Sequence, residues 1–355
     1  MTSDTKALKI GFSFWGFLGS GILDTPDGGR FWRRPIIDEL ISRGHELVLL
    51  QSNRDLHEAG HALPYRWDSG FPDIDVLLCE WRWPLPGRNT TPCGTTGHTC
   101  DLHRQQALLD HYTHTRTTAT VLWDTDRQMA LDDPFRRMPN VVVCDTARRP
   151  ATGAAVLFNM VPDALVDGAD PVKLAAATRP LALVYVGNQY DRDEAFENFF
   201  APAAARFPHR VAGKWPRTEA WPQVNFTGRC PFPGVAGIYR AALSTVLLLP
   251  DRYAAVGAIT QRMGEAVTAG CLPLTPTTIA CTDQVTPPVL HVADRHEVIE
   301  RIEWLRGIAG SPEHAELIDT CLRYLQPMRV SHQVAGLDRL ITDLAAAHPA
   351  GGTAR

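Results

Sequence analysis

Residues 224–276 read VNFTGRCPFPGVAGIYRAALSTVLLLPDRYAAVGAITQRMGEAVTAGCLPLTP, and the order of elements within them decides the fold class. A short strand is predicted over 224–227, a turn over 228–233, a helix over 235–242 and an apolar strand over 245–249 closed by Pro250. A helix over 261–269 stops at Gly270, and a further apolar run, 271–274, follows. This βαβαβ order builds a parallel sheet with helices on its faces. The loops after the carboxyl ends of such strands converge on one crevice, where helix N-termini favour anions and polar ligands. Thr260, Gln261, Arg262 and Glu265 stand at such a helix start.

Upstream, the strand at 181–186 ends in Gly187, Asn188, Gln189 and Tyr190 ahead of a helix at 193–207, and the strand at 209–212 delivers Gly213 and Lys214. The first half repeats the pattern, with strands at 9–15, 45–50, 73–79, 119–123 and 140–144. After the first strand comes a glycine-rich run that includes Gly16, Gly19, Gly21, Asp24, Asp27, Gly28 and Gly29, and then a helix at 31–43. A dinucleotide site is the rival reading of that run. Its glycines do not fall as G-x-G-x-x-G, however, and the second strand ends in Gln51, Ser52 and Asn53 with no acid for a ribose. Four prolines between 146 and 180 mark a linker. The expected division is therefore 1–150, a linker at 151–180, a second domain at 181–325 and a terminal helical segment at 326–355.

The chain has 355 residues, 45% hydrophobic and 21% charged, which suits two medium globular domains. A net charge of -4 supplies no basic field for nucleic acid and fits a small acceptor better. No signal peptide or membrane-length apolar run is read at the N-terminus or beyond. The eight cysteines are scattered, as in a protein of the reducing cytoplasm.

The pattern V-x-F-x-G, Y-x-x-A, P and R-x-x-E-A-x-x-A-G-x-x-P, carried by Val224, Phe226, Gly228, Tyr239, Ala242, Pro250, Arg262, Glu265, Ala266, Ala269, Gly270 and Pro273, resembles the donor half of a GT-B glycosyltransferase. The resemblance implies two Rossmann-like α/β domains facing each other across a cleft, with a last helix that crosses back to the first. It implies transfer of a sugar from a nucleotide sugar, with no other cofactor and no metal. Glu265 would hold the ribose hydroxyls, with Arg262, Lys214, Gly187, Asn188 and Gln261 near the diphosphate and Gly228 and Arg229 in the loop facing the base. A nucleotide-sugar epimerase of the same architecture and a non-catalytic sugar-binding module are the alternatives, and transfer to DNA bases is a minor one.

An inverting transfer needs a general base. Asp27, Glu80 and Asp124 are the candidates, with Asp24 and His98 behind them; a retaining transfer needs none. Glu80 arrives with Trp81, Arg82 and Trp83 after a buried strand, which suits a ring-bearing acceptor or a simple ion pair across the loop. Asp124 and Asp126 form a D-x-D after the strand at 119–123, a pattern that elsewhere holds a hard cation; lying in the first half, away from the donor-like motif, they are expected instead to face the cleft between domains without a metal, or to cap the next turn. Within 84–103, Cys93, His98, Cys100 and His103 are close enough to bind zinc, to include a disulfide or to be a plain loop, and they lack a C-x-x-C knuckle.

Overall fold

A computed structural model describes residues 7–20 and 28–349. The first lobe is a seven-stranded sheet built from β1 (Lys9–Ser13), β2 (Glu46–Leu49), β3 (Arg66–Trp67), β4 (Val76–Glu80), β5 (Ala119–Asp124), β6 (Val141–Asp145) and β7 (Ala155–Val156). Their order is β3-β2-β1-β4-β5-β6-β7, and every pairing is parallel. The second lobe holds β8 (Leu181–Val186), β9 (His209–Ala212), β10 (Ala242–Val246), β11 (Leu272–Pro276) and β12 (His291–Val292), ordered β12-β11-β10-β8-β9. Both are α/β sheets of the doubly wound kind. Strand direction of travel reverses between β1 and β4 in the first and between β8 and β10 in the second, and ligands of such sheets sit at those switch points.

The central strands are continuous apolar runs because helices cover both faces. In β4 and β10 every residue is buried. One large core joins the lobes, from Ile10, Phe12 and Trp123 through Met160 and Val161 to Met263 and Leu274. Smaller clusters fill the remaining face of each sheet, around Leu77 and Tyr112 in the first and around Val184 and Tyr239 in the second.

Three expected elements take a different form. The strand at 224–227 is reduced to one bridge, Phe226 with Val211, because Phe226 is drawn onto an aromatic cluster with Phe196, Trp215 and Trp221. The helix at 193–207 is broken by a π-helical turn, Phe196–Phe200, whose Phe196 packs 4.5 Å from Trp215 and 4.8 Å from Trp221. The expected linker carries structure: β7 closes the edge of the first sheet, and short helices occupy Asp163–Asp167 and Pro171–Ala176.

The chain passes between the lobes twice, and the two passes are bonded to each other. Val161 N–H donates to Met328 O at 2.8 Å, Val330 N–H donates to Val161 O at 3.0 Å, and Arg329 Nε meets Asp163 Oδ1 at 2.6 Å. The helix Val330–Ala347 then packs on the helix Arg33–Ser42 and on β5 of the first lobe. Its buried face is Val334, Leu337 and Ile341, and Asp338 on the same face accepts from His45 Nε2 at 3.0 Å. Leu8 N–H donates to His45 Nδ1, which leaves the proton of that ring on Nε2. Ile341→Ala should lower the unfolding free energy by about 2–4 kcal/mol, the usual cost of emptying a buried aliphatic site, as read by chemical denaturation.

Candidate active site

The carboxyl ends of the two sheets face each other across a cavity of about 360 Å3. Trp15, Trp32, Trp83, Arg33 and Arg88 line it from the first lobe, and Asn188, Arg192, Arg252, Tyr253, Gln261 and Arg262 from the second. Trp15 and Trp83 follow β1 and β4, and Asn188 and Arg192 follow β8. The cavity therefore lies at both switch points.

On the second lobe the backbone approaches closely because two glycines permit it. A Cβ on Gly213 would stand 2.0 Å from Gly187 O, and one on Gly187 would stand 2.6 Å from Arg262 Nε and 2.8 Å from the Tyr185 hydroxyl. Arg262 donates from Nε to Val186 O at 2.6 Å and from Nη1 to Thr260 Oγ1 at 3.3 Å. Arg192 donates to Asn188 O, and its buried Nε has no hydrogen-bond partner among the described residues. Burial lowers the Arg192 pKa from the ordinary arginine value; the Arg262 and Arg252 guanidiniums add to this, while Tyr185 opposes it. Arg252 is held by Asp191 at 2.7 Å. Three arginines thus converge on one wall, and among the described residues neither Arg192 nor Arg262 has a carboxylate within ion-pair distance.

Glu265 lies on the helix Arg262–Thr268, one turn on from Arg262 and therefore on the same face. It is 9% exposed, and its carboxylate makes no hydrogen bond among the described residues. Burial raises its pKa from 4.5 to about 7, with Arg262 working against the rise. The stability this carboxyl contributes is accordingly full below 4.5 and lost as pH rises through about 7. The hydroxyls of Tyr185 and Tyr239 are also buried without partners. A carboxylate, a guanidinium and two phenols with unused hydrogen-bonding capacity form a set suited to a ligand bearing hydroxyls and negative charge.

No protein-family model matches the chain, and no curated protein matches it in sequence. Solved structures do match it in shape. T4 phage β-glucosyltransferase in complex with UDP and Mn2+ superposes with a TM-score of 0.63 at 12% identity, covering 94% of this chain and 99% of that one. AviGT4, a glycosyltransferase involved in avilamycin A biosynthesis, gives 0.59 at 14% identity over 96% and 98%. Anabaena HepE in complex with UDP-glucose gives 0.53 at 10% identity over 96% and 100%. The chain has the GT-B fold.

Within the GT-B cleft the residues singled out from the sequence divide. Asn188, Gln261 and Arg262 line the second-lobe wall, and Gly187 and Glu265 stand behind it against Arg262 without lining the cavity. Lys214, Gly228 and Arg229 are exposed and do not line the cavity; Lys214 N–H instead donates to Asn188 Oδ1 at 2.7 Å, and Gly228 O accepts from Gly213 N–H at 2.8 Å. Asp24 and Asp27 lie outside the described residues, although Gly28 lines the cavity. Glu80 is 1% exposed and bound to Arg33 through two hydrogen bonds of 2.7 and 2.9 Å and to Arg82 through one of 3.1 Å. Asp124 accepts the N–H groups of Gln128 and Met129 at 2.9 and 3.0 Å and so closes the turn after β5. Burial raises the Asp124 pKa against those two bonds. Asp126 reaches the cavity and accepts from the Tyr253 hydroxyl, which ties the lobes together. His98 is bonded to Thr91 at 3.0 Å and borders a second hollow of about 420 Å3 in the first lobe, which shares Trp15 with the cleft.

Sequence reading did not assign Arg192, Arg252 or Tyr253 to the site, nor Arg33, which backs the other wall. The available signal was position alone, since Arg192 and Arg252 follow the strand ends where ligands of parallel sheets bind. Replacing Glu80 by Gln leaves the buried Arg33 and Arg82 without their counter-charge. That change should cost about 3 kcal/mol in unfolding free energy, measured by denaturant titration, with the main loss in stability.

Proposed function

We propose that the protein is a glycosyltransferase that takes a sugar from a nucleoside diphosphate sugar bound to the second lobe and passes it to a small ring-bearing acceptor on the first. The observation that carries this reading is the buried, unbonded Glu265 carboxylate beside Arg262 at the second switch point. Ribose hydroxyls donate to that carboxylate, and the diphosphate lies against Arg192, Arg262 and Gln261, with Arg252 at the rim. As the bond between the anomeric carbon and the diphosphate oxygen breaks, charge grows on the leaving group, and fixed guanidiniums stabilise it without reorganising. These arginines stand in for a divalent cation. Likeness in shape to enzymes solved with UDP or UDP-glucose supports a uridine nucleotide as the first to try.

The acceptor side presents two partly exposed tryptophans, Trp15 and Trp83, whose open faces stack on ring faces while Arg88 and Asp126 meet hydroxyls; Trp32 backs them from the core. The acceptor hydroxyl attacks the anomeric carbon and gives its proton to a base. We place that base on Asp27, next to the cavity residue Gly28, since the Glu80 and Asp124 carboxylates are already occupied by internal partners. The T4 phage neighbour is described as a DNA modifying enzyme, so duplex DNA belongs in any acceptor panel. The net charge of -4 favours a small molecule, and a cytoplasmic setting supplies the activated sugar.

Calorimetry of a UDP-sugar should show affinity that is full above pH 7 and falls as pH drops through about 7, because only the ionised Glu265 accepts the ribose hydroxyls. Glu265→Gln should weaken binding about tenfold or more and flatten that profile, while added Mg2+ or Mn2+ leaves affinity within about twofold. Unchanged affinity in Glu265→Gln for every nucleotide sugar tried overturns the assignment. Asp27→Asn should leave donor affinity intact and cut kcat by about 100-fold or more. Conversion of the donor sugar without any acceptor would instead identify an epimerase.

A further inference from the structure

We infer that Cys93, His98, Cys100 and His103 form a structural zinc site that holds the first-lobe wall of the cleft. One ligand atom from each of the four lies within 4.8 Å of all the others. Zinc bonds of about 2.3 Å to sulfur and 2.0–2.1 Å to nitrogen put tetrahedral ligand atoms about 3.3–3.8 Å apart, so closing on the ion takes a movement of about 1 Å. Cys93 Sγ and His103 Nδ1 already stand 3.2 Å apart.

The second observation concerns the His98 ring. Thr91 Oγ1 lies 3.0 Å from His98 Nδ1 and 3.4 Å from Arg88 O, and with its own proton directed to Arg88 O the hydroxyl accepts from Nδ1. In the tautomer with the ring proton on Nδ1 the lone pair is on Nε2, a buried atom with no hydrogen-bond partner among the described residues. An imidazole with one nitrogen held at a fixed hydroxyl and the other buried and unbonded is arranged as metal-binding histidines are.

Chain geometry explains the convergence without a C-x-x-C knuckle. Gly94 and Gly97 have φ of 86° and 79°, the left-handed region that glycine enters without strain. They turn the loop back so that Cys93 meets Cys100, which begins the helix Asp101–Leu108, and His103, in the first turn of that helix. Residues 92–97 are all exposed, and residues 84–100 contain no helix or strand, so apolar burial does not fix this segment. Loops of this length are uncommon in compact domains, and small units without a core are commonly stapled by metal.

The staple acts on the cleft through the other end of the loop. Trp83, Leu85 and Arg88 line the cavity, Thr99 N–H donates to Arg88 O at 3.0 Å, and the Arg88 guanidinium sits 3.9 Å over the Trp15 ring. None of the four ligand residues lines that cavity, and four protein ligands complete the shell, so the zinc has a structural role and no open position for substrate.

Untagged protein expressed with added zinc and purified under reducing conditions tests this by elemental mass spectrometry and by cobalt substitution. About one zinc per chain is expected, together with thiolate-to-cobalt charge-transfer bands, and both should vanish in the Cys93→Ser, Cys100→Ser double variant. Should that variant not fold, the metal content and cobalt spectrum of the native chain decide alone. A native chain that holds no zinc and takes up none on stoichiometric addition, a double variant that keeps its zinc, or a Cys93–Cys100 disulfide in the reduced preparation each overturns the inference.

Discussion

Two short stretches of backbone, one on the way out of the first lobe and one on the way back, hydrogen-bond to each other at Val161 and Val330, and the rest of the architecture hangs from that pairing. Each lobe has its own sheet, so nothing in either sheet sets the angle between them. The paired crossovers do, reinforced by Arg329 with Asp163 and Asp167 and by Ser331 with Asp163. A second line of contact runs along the cleft, where Asn159 Nδ2 donates to Ile259 O at 3.0 Å and Arg149 N–H to Val256 O at 3.0 Å.

The two walls of the cleft solve opposite electrostatic problems. On the first lobe, Arg33 and Arg82 share the Glu80 carboxylate, so charge is buried but internally balanced. On the second, among the described residues, Arg192 and Arg262 make no ion pair and Glu265 accepts no hydrogen bond, although Arg262 and Glu265 attract each other across one helical turn. Burying unpaired charge costs several kcal/mol, and folds retain it chiefly where a ligand completes the set. The second wall thus keeps polar capacity open toward the cleft, whereas the first wall uses its own internally.

The legible part of this chain was the part governed by local periodicity. The long buried strands stood out because parallel strands covered on both faces are unbroken apolar runs. The two-residue strands β3 and β7 have too little sequence to show a period, and β7 was consequently read as linker. Gly187, Gln261, Arg262 and Glu265 could be singled out because they follow a strand end or open a helix and belong to the pattern that resembles GT-B donor domains. The pairing of Glu80 with Arg82 and the turn-capping by Asp124 were both open readings of the sequence, because each partner is local; the tighter Glu80 partner, Arg33, was not legible because it lies 47 residues away. The meeting of Cys93, His98, Cys100 and His103 was half visible: the residue types were plain, but the left-handed turns at Gly94 and Gly97 that join them were not.

The helix Val330–Ala347 covers the first sheet yet follows the whole second lobe in the chain. During synthesis, then, the ribosome delivers strands β1 to β7 long before the helix that seals their apolar face, and that face must wait, exposed, while the other lobe is made. Folding of the two halves is therefore tied in time as well as in space: the amino-terminal half acquires its last layer only when the carboxyl-terminal half has already emerged.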